Sequence, residues 1–275
     1  MIREHAPAKI NLGLAVTGRL ANGYHSLDTL FCTLKVGDTL HLETTTSGIE
    51  LEMVGSDLPT NQENLVYRAA QAYLQAAKIQ SGVRIRLEKR LPIAAGLGGG
   101  SSDAAACLRG LERLYPSALE LHPLARELGA DVPFLLRGGA ARARGIGDVL
   151  SPVRLPRVHV VLANPKVGIS AKEAYQGLNG RFAAPLALEQ ILAALERQQD
   201  PPYSNTLELP VLAAYPIVGK VKAALSSAGL FGVLMSGSGS TCFGLAKDAA
   251  SAQAAAQKLQ LEHPDWWVCA SEHHP

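Results

Sequence analysis

The residues best suited to chemistry form a glycine-rich segment, which reads LPIAAGLGGGSSDAA over residues 91–105. Glycine accepts positive φ and lets backbone N–H groups approach an anion, because no Cβ stands between them. The alanine-rich run that follows predicts a helix, and a helix N-terminus adds unpaired donors and the positive end of a dipole. This pattern favours binding of a phosphate or another anion over a glycine hinge packed against a sheet.

Ser101, Ser102 and Asp103 follow the glycines directly. We expect the serines to begin the helix, where they cap it or donate their hydroxyls to a phosphate or magnesium. Asp103 would repel a phosphate placed beside it, so we expect it to orient the loop. Two familiar phosphate motifs do not match. A Walker loop needs a lysine after its glycines, and the dinucleotide fingerprint needs a third glycine where Ser101 stands.

Two other polar positions stand out, and each has an ordinary alternative. The segment AKINLGLAV alternates, which predicts a strand with Lys9 and Asn11 on the face opposite its apolar residues. Asp131 follows Gly129, the predicted end of a short helix, within the largely apolar segment LGADVPF. Taken alone, Lys9 is an outward lysine on an edge strand and Asp131 is a turn carboxylate.

The composition narrows the class of protein. The chain has 275 residues, 47% of them hydrophobic and 18% charged, which is typical of a soluble globular protein with one large or two ordinary domains. Its net charge of +2 is too small to predict nucleic acid or a membrane as partner. No apolar run is long enough for a membrane span, and a strand starting near Ala8 leaves no room for a signal peptide, so we expect a cytoplasmic protein. Four separated cysteines without a C-x-x-C spacing favour buried free thiols.

Periodicity in the first half predicts a mixture of strands and helices. After the first strand, Asn22-Gly23 signals a hairpin turn, and two further strands are expected on either side of Gly37-Asp38. A helix over ENLVYRAAQAYLQAA and a strand over VRIRLEK precede the glycine segment and its helix. A short helix ending at Gly129 then leads to strand-like segments that begin with VPF.

The second half predicts a strand, several helices, two strands joined by a glycine-serine turn, a helix and a last strand. LPVLAAYPIVGKVKAALSSAG reads as one helical stretch. This order resembles a ferredoxin-like arrangement. Prolines are dense over residues 151–157, so we expect an α+β fold with two lobes, residues 1–153 and 154–275.

Three segments resemble, in order, the motifs of the galactokinase, homoserine kinase, mevalonate kinase and phosphomevalonate kinase superfamily. They read PAKINLGLAVTGRLANGYHSLDTLF, LPIAAGLGGGSSDAA and VLMSGSGSTCFGL. The resemblance implies an ATP-dependent small-molecule kinase with its active site between the lobes and a first lobe shaped like a domain of a ribosomal protein. It also implies that the glycine segment wraps the ATP phosphates. The residues expected to do so are Pro92, Gly96, Leu97, Gly98, Gly99, Gly100, Ser101 and Ser102.

The sequences GYH and LGADVPF are similar to one branch of that superfamily. Its members phosphorylate the tertiary 2-hydroxyl of 4-diphosphocytidyl-2-C-methyl-D-erythritol in non-mevalonate isoprenoid biosynthesis. The resemblance implies that Lys9 and Asp131 are catalytic, with the ammonium keeping the carboxyl ionised. It assigns Tyr24, His25 and Phe31 to a pocket for the cytosine ring.

Several further contacts are open at this point. Asn11 is expected to hydrogen-bond the erythritol part of the substrate. Tyr175 fits either a pocket wall or core packing, and Asn64 and Leu65 fit either a helix start or the border of an adenine site. Asp148 stands where many relatives have glutamate, which puts a secondary contact in doubt. The third motif is a tight turn or shapes the active site, through Gly237, Ser238 and Gly239.

Two alternative functions remain beside the main interpretation. A sibling kinase for homoserine, mevalonate or a phosphorylated relative would not need the GYH aromatic residues. A catalytically dead RNA-binding module is disfavoured because no basic stripe is present. We expect magnesium to arrive with ATP rather than in a dedicated protein site, and the protein to be a monomer or homodimer.

Overall fold

The computed structural model describes residues 1–274, which form strands and helices in mixed order. The strands are β1 (Ile2–Arg19), β2 (His25–Thr45), β3 (Ile49–Val54), β4 (Gly82–Glu88), β5 (Ala140–Gly145), β6 (Val149–Pro152), β7 (His159–Asn164), β8 (Phe231–Met235), β9 (Cys242–Ala246) and β10 (Trp267–Glu272). The helices are α1 (Leu65–Ala76), α2 (Gly99–Leu114), α3 (Leu121–Leu128), α4 (Val132–Arg137), α5 (Ala171–Gln176), α6 (Leu188–Glu196), α7 (Glu208–Ala214), α8 (Pro216–Ser227) and α9 (Ala249–Glu262).

Unit 1 is one of two compact units and comprises residues 1–8, 37–91 and 98–138. In it, β4 pairs antiparallel with residues 39–45 of β2 and parallel with β3. Helix α2 packs against α1 and α4. The alternating apolar residues of β4 and the alanine-rich face of α2 are buried, so they supply the core of this unit.

Within the described part of the chain, unit 2 comprises residues 9–36, 92–97 and 139–274. Residues 27–32 of β2 pair antiparallel with β5, which pairs antiparallel with β6. A four-stranded antiparallel sheet has the order β10-β7-β9-β8, with α8 and α9 packed on its strands. If β7, β8, β9 and β10 are numbered 1 to 4, the order across this sheet is 4-1-3-2. This order confirms the ferredoxin-like arrangement and the α+β class.

One strand prediction in the first half, the break at Gly37-Asp38, is wrong. Strand β2 runs straight through Gly37 and Asp38, although this pair was expected to separate two strands. A Cβ at Gly37 would lie 2.2 Å from the carbonyl oxygen of Ala6, so the glycine permits close approach rather than a turn. Asp38 accepts hydrogen bonds from the backbone N–H groups of Arg90 and Leu91, so its side chain supports the sheet.

A second strand prediction and one helix prediction also need correction. The segment beginning with VPF is helix α4, with Pro133 in the first turn, where its missing N–H costs nothing. The long helical stretch of the second half is two helices, because the chain turns at Tyr215 before Pro216. The turn at Asn22-Gly23 is confirmed: Gly23 has φ +86°, and Leu20 and Tyr24 are hydrogen-bonded across it.

The lobe boundary between residues 153 and 154 stays a prediction, since the two units are each discontinuous along the chain. Within residues 1–274, no single helix is long and apolar enough to cross a membrane. Helices α7 and α8 meet that criterion only as a pair, and this pair is bent by 113°.

The hydroxyl of Tyr73 generates a stability prediction. It lies 2.7 Å from both Glu112 Oε2 and the Tyr115 carbonyl oxygen and 2.9 Å from Ser117 Oγ, and so ties α1 to the end of α2. Tyr73→Phe should lower the free energy of unfolding by about 1–3 kcal/mol, because it removes a hydrogen bond from a buried side chain to the charged Glu112 carboxylate. Denaturant titration measures this. Tyr67→Phe on the same helix is the control, and an equal loss in both variants would contradict the prediction.

Candidate active site

A row of buried polar side chains crosses unit 2, formed by Lys9, Asn11 and Thr29 and called the polar row below. Lys9 Nζ donates to Asn11 Oδ1 at 2.8 Å, and Asn11 Nδ2 donates to Thr29 Oγ1 at 2.8 Å. Thr29 Oγ1 donates in turn to the carbonyl oxygen of Gly13 at 2.7 Å. Lys9 is only 4% exposed, so its interpretation as an outward edge-strand lysine is wrong. A buried ammonium needs such partners, because desolvation of an unpaired charge is costly.

The loop of residues 236–240, called the third-motif loop, comes close to the Lys9 ammonium. A Cβ at Gly237 would lie 3.3 Å from Lys9 Nζ and 3.1 Å from the carbonyl oxygen of Gly96. Ser236 Oγ donates to that same Gly96 oxygen at 2.9 Å. A Cβ at Gly96 would lie 2.0 Å from the Ser236 carbonyl oxygen, so both loops need glycine to meet. The third-motif loop therefore borders the polar row rather than forming only a distant turn.

Asn205 fixes the third-motif loop and was not found from the sequence. Its Nδ2 donates to the carbonyl oxygens of Met235 at 2.9 Å and Gly237 at 2.7 Å, and its Oδ1 accepts from Leu207 N–H. Asn205 is buried, and these three hydrogen bonds of its side chain all go to backbone. It lies in the unpatterned segment YSNTLELP, where no spacing signals such a role.

Helix α2 in unit 1 begins at Gly99, and Gly98 is its N-cap with φ +67°. Ser101 and Ser102 therefore do not cap the helix: both lie inside its first turns, and Ser102 N–H donates to the Gly98 carbonyl oxygen at 2.8 Å. The alternative, that their hydroxyls donate to a phosphate or magnesium, stays a prediction. The left-handed φ of Gly98 lets the chain enter the helix two residues earlier. Within residues 1–274, the buried hydroxyl of Ser102 has no hydrogen-bond partner. Space beside Gly100 is open.

Three charged side chains are buried together beneath this helix start: Asp38, Lys89 and Asp103, called the buried trio below. Lys89 Nζ lies 2.7 Å from Asp103 Oδ2 and also binds Asp38 Oδ2. Burial raises the pKa of Asp103 to about 7; Asp38 adds to the rise, while Lys89 opposes it. One ammonium facing two carboxylates in a dry site favours a proton on one of them. Asp38 and Lys89 were missed, since neither belongs to a recognisable motif.

Asp131 is the N-cap residue of α4, and its carbonyl oxygen accepts from Leu135 N–H at 3.1 Å. It belongs to unit 1 whereas Lys9 belongs to unit 2, so their joint action stays a prediction. Asn64 caps α1: its Oδ1 accepts from Val66 N–H at 2.9 Å, and Leu65 is the first helical residue. The helix-start interpretation of this pair is thus confirmed, and the border of an adenine site stays a prediction.

An aromatic group lies around His25 in unit 2. The His25 ring stacks on Tyr175 with 5.0 Å between centroids, and the Phe182 ring lies 6.5 Å away. Tyr24 is 62% exposed and Phe182 is 45% exposed. Burial and the charge of Arg19 lower the pKa of His25, which favours the neutral ring at neutral pH. Phe182 was not predicted from the sequence, because a lone phenylalanine in an irregular segment carries no pattern.

The remaining predicted site residues, Tyr175, Phe31 and Asp148, differ in burial and in the groups they contact. Tyr175 also packs against the core of unit 2, which confirms core packing, while its part in a pocket wall stays a prediction. Phe31 is 3% exposed, with Lys9 Nζ 5.3 Å from its ring centroid, so its part in a base pocket stays a prediction. Asp148 Oδ1 accepts from Ile146 N–H at 3.3 Å in the β5–β6 turn. Among residues 1–274, no cluster of three His, Cys, Asp or Glu side chains could hold a metal ion.

Comparison with known proteins adds independent information. Residues 64–139 match the GHMP kinases N terminal domain, and residues 182–265 match the GHMP kinases C terminal model. The chain is 52% identical to the 4-diphosphocytidyl-2-C-methyl-D-erythritol kinase of Deinococcus radiodurans, over 99% of this chain and 93% of that protein. It is 47% identical to the kinase of the same name from Thermus thermophilus, over 95% and 94%.

Two solved structures are also similar. A crystal structure of 4-(cytidine 5'-diphospho)-2C-methyl-D-erythritol kinase matches with a TM-score of 0.91 and 44% identity, over all of both chains. A homoserine kinase from Cytophaga hutchinsonii matches with a TM-score of 0.74 over 99% of this chain and 94% of that chain. At 22% identity, the second similarity concerns the fold alone.

The buried trio generates a prediction on pH. The raised pKa of Asp103 means that the folded protein holds this proton more tightly than the unfolded chain, so stability from this group falls as pH rises from about 4 to about 7. Asp103→Asn removes the titration and should flatten that slope, which reaches at most about 1.4 kcal/mol per pH unit. Denaturant unfolding at several pH values measures it. Exposed Asp57→Asn is the control, and an unchanged slope in Asp103→Asn would contradict the prediction.

Proposed function

The chain belongs to the 4-diphosphocytidyl-2-C-methyl-D-erythritol kinases of the GHMP kinase family, and we propose that it transfers the γ-phosphoryl group of ATP to the 2-hydroxyl of 4-diphosphocytidyl-2-C-methyl-D-erythritol. The products are the 2-phosphate and ADP. The observation that carries this proposal in the molecule is the Lys9 ammonium, held by Asn11 at the edge of two glycine loops. A fixed positive charge beside glycine backbone, which has no side chain to block an anion, suits the transfer of a charged phosphoryl group.

The glycine segment and the start of α2 are proposed to bind the ATP phosphates. Positive φ at Gly96 and Gly98 and the open space at Gly100 support backbone contact with an anion. Magnesium enters with ATP and neutralises phosphate charge when bound. The buried hydroxyl of Ser102, which has no hydrogen-bond partner within residues 1–274, is an oxygen donor of the kind that magnesium accepts.

Asp131 and Lys9 are proposed to act on the acceptor hydroxyl, as the family resemblance implies. The hydroxyl oxygen forms a bond to the γ-phosphorus while the bond from that phosphorus to ADP breaks, and the hydroxyl proton passes to the Asp131 carboxylate. Lys9 lowers the cost of negative charge on the oxygen. Asn11, which accepts from Lys9, has an amide suited to a polyol.

The exposed rings around His25 are proposed to bind cytosine. Tyr24 and Phe182 offer flat faces, and the neutral ring of His25 offers a donor and an acceptor for the polar edge of the base. Tyr175 supports His25 from behind by stacking. A kinase for homoserine or mevalonate would have no use for these rings, and a homoserine kinase and a mevalonate kinase that share the fold of this chain are 22% and 14% identical to it.

We further propose a cytoplasmic monomer or homodimer that has no nucleic-acid or membrane partner. The function itself is tested by ADP release from ATP with the cytidine substrate, with homoserine, with mevalonate or with no acceptor. We expect release only with the cytidine substrate. Release with homoserine or mevalonate alone would favour a sibling kinase, and no release with any acceptor would favour a non-catalytic protein.

Asp131→Asn keeps the shape of the side chain but removes the proton acceptor, so turnover should fall by roughly 10²–10⁴-fold. Lys9→Ala should also lower turnover, and the double variant should be far less than multiplicatively worse, because both residues act on one hydroxyl. Steady-state kinetics measure this, with exposed Glu127→Gln as the control. Losses that multiply would mean that the two residues act independently.

Tyr24→Ala and His25→Ala should weaken binding of the cytidine substrate by roughly 5- to 150-fold, since base stacking contributes about 1–3 kcal/mol. Dissociation constants for ATP should stay nearly unchanged. Calorimetry on both ligands, together with the melting temperature, separates recognition from packing. Leu20→Ala in the same hairpin is the control. Equal weakening of both ligands, or of neither, would exclude these residues from the cytosine site.

A further inference from the structure

An ion pair between adjacent strands of unit 2 has no part in the mechanism above. Asp28 on β2 is 2% exposed, and its two carboxylate oxygens accept from Arg142 on β5, Oδ1 from Nε at 2.7 Å and Oδ2 from Nη2 at 2.6 Å. Burial alone would raise the pKa of Asp28, but the bonds from Arg142 and from Leu186 N–H lower it on balance. Such a two-pronged pair fixes both side chains in one geometry.

The same pair holds a segment that lacks regular secondary structure, residues 182–186, called the anchored segment below. Leu186 N–H donates to Asp28 Oδ2 at 2.8 Å, and Arg142 Nη2 donates to the Leu186 carbonyl oxygen at 3.3 Å. At the other end, Ala183 N–H donates to the carbonyl oxygen of Val16 at 2.8 Å. The backbone of the anchored segment is thus tied to strands at both ends.

The anchored segment begins with Phe182, whose half-exposed ring lies 6.5 Å from the His25 ring. An irregular segment has no helical or sheet hydrogen bonds of its own, so its position depends on its hydrogen bonds to neighbouring strands. Release of the Leu186 end would let Phe182 move relative to His25. The pair therefore bears on the geometry of the exposed rings without touching them.

We propose that Asp28 and Arg142 are positioning residues that hold the anchored segment, and with it Phe182, at the site for the nucleotide base of the acceptor substrate. This rests on the proposed function, because the base belongs to the proposed substrate. The pair thereby sets the affinity for the acceptor and leaves ATP and the chemical step unaffected. A merely structural pair would instead change stability without a selective effect on one substrate.

The test uses Asp28→Asn, Phe182→Ala and the double variant, with exposed Arg144→Lys on β5 as the control. Asp28→Asn should raise KM for the cytidine substrate by roughly 5- to 50-fold, within the range of one base stack, and leave kcat and the KM for ATP within about twofold. Phe182→Ala should do the same, and the double variant should be no worse than Phe182→Ala alone. A lower kcat, an equal rise of both KM values or losses that multiply would each overturn the proposal.

A second readout is independent of activity. Hydrogen exchange of the Ala183 and Leu186 amides in the ligand-free protein should speed up at least tenfold in Asp28→Asn and remain unchanged in Arg144→Lys. If Asp28→Asn does not fold, Arg142→Lys replaces it, because lysine keeps the charge but cannot make both hydrogen bonds to Asp28. The same changes in KM and in hydrogen exchange are then expected, but smaller. Unchanged exchange overturns the proposal. If the wild type does not phosphorylate the cytidine substrate, the proposed function fails, while exchange still reports whether the pair holds the segment.

Discussion

The burial of one ammonium constrains much of unit 2. Removal of a charged group from water costs several kcal/mol unless other polar groups replace the lost solvation. Lys9 meets this need in part through the polar row, in which Asn11 accepts from the lysine and donates to Thr29. Each member is oriented by the next, and the row ends on backbone at Gly13. The position of the charge is therefore set by the strands, which is the preorganisation that electrostatic catalysis requires.

Backbone has to come close to this charge, and glycine makes that possible. Gly96 and Gly237 come from distant parts of the sequence, and a Cβ on either would overlap or crowd the other loop. Asn205 holds the carbonyl oxygen of Gly237, and Ser236 holds that of Gly96. Flexible residues are thus kept in place by Ser236, within the third motif, and by Asn205, outside the motifs, so the loops combine close approach with fixed geometry.

The sequence predicts best the features that depend on a local pattern. The periodicity of β4 and α1, the turn at Asn22-Gly23 and the order of elements in the second half are all correct, because each follows from nearby residues. The predicted break between two strands at Gly37 and Asp38 was wrong, because backbone N–H groups far along the chain satisfy the Asp38 side chain. For the same reason the buried trio and Asn205 were missed: their side chains have partners 14 to 51 residues away, and no spacing in the sequence signals those contacts. The motif residues of the site were found through the family resemblance, which carries information that one sequence cannot supply by periodicity.

Strand β10 has a consequence for the order of synthesis. It pairs with β7, and beyond it His274 N–H donates to the carbonyl oxygen of Thr33 at 2.8 Å, so residues made early and late share one unit. Unit 1 has all its residues once position 138 has been made, whereas unit 2 waits for residues 267–274. At about 5–20 residues per second, the stretch from Thr33 to His274 takes roughly 12–50 s. During that interval the Thr33 carbonyl oxygen lacks the donor that His274 later supplies, and β7 lacks one of its two neighbouring strands.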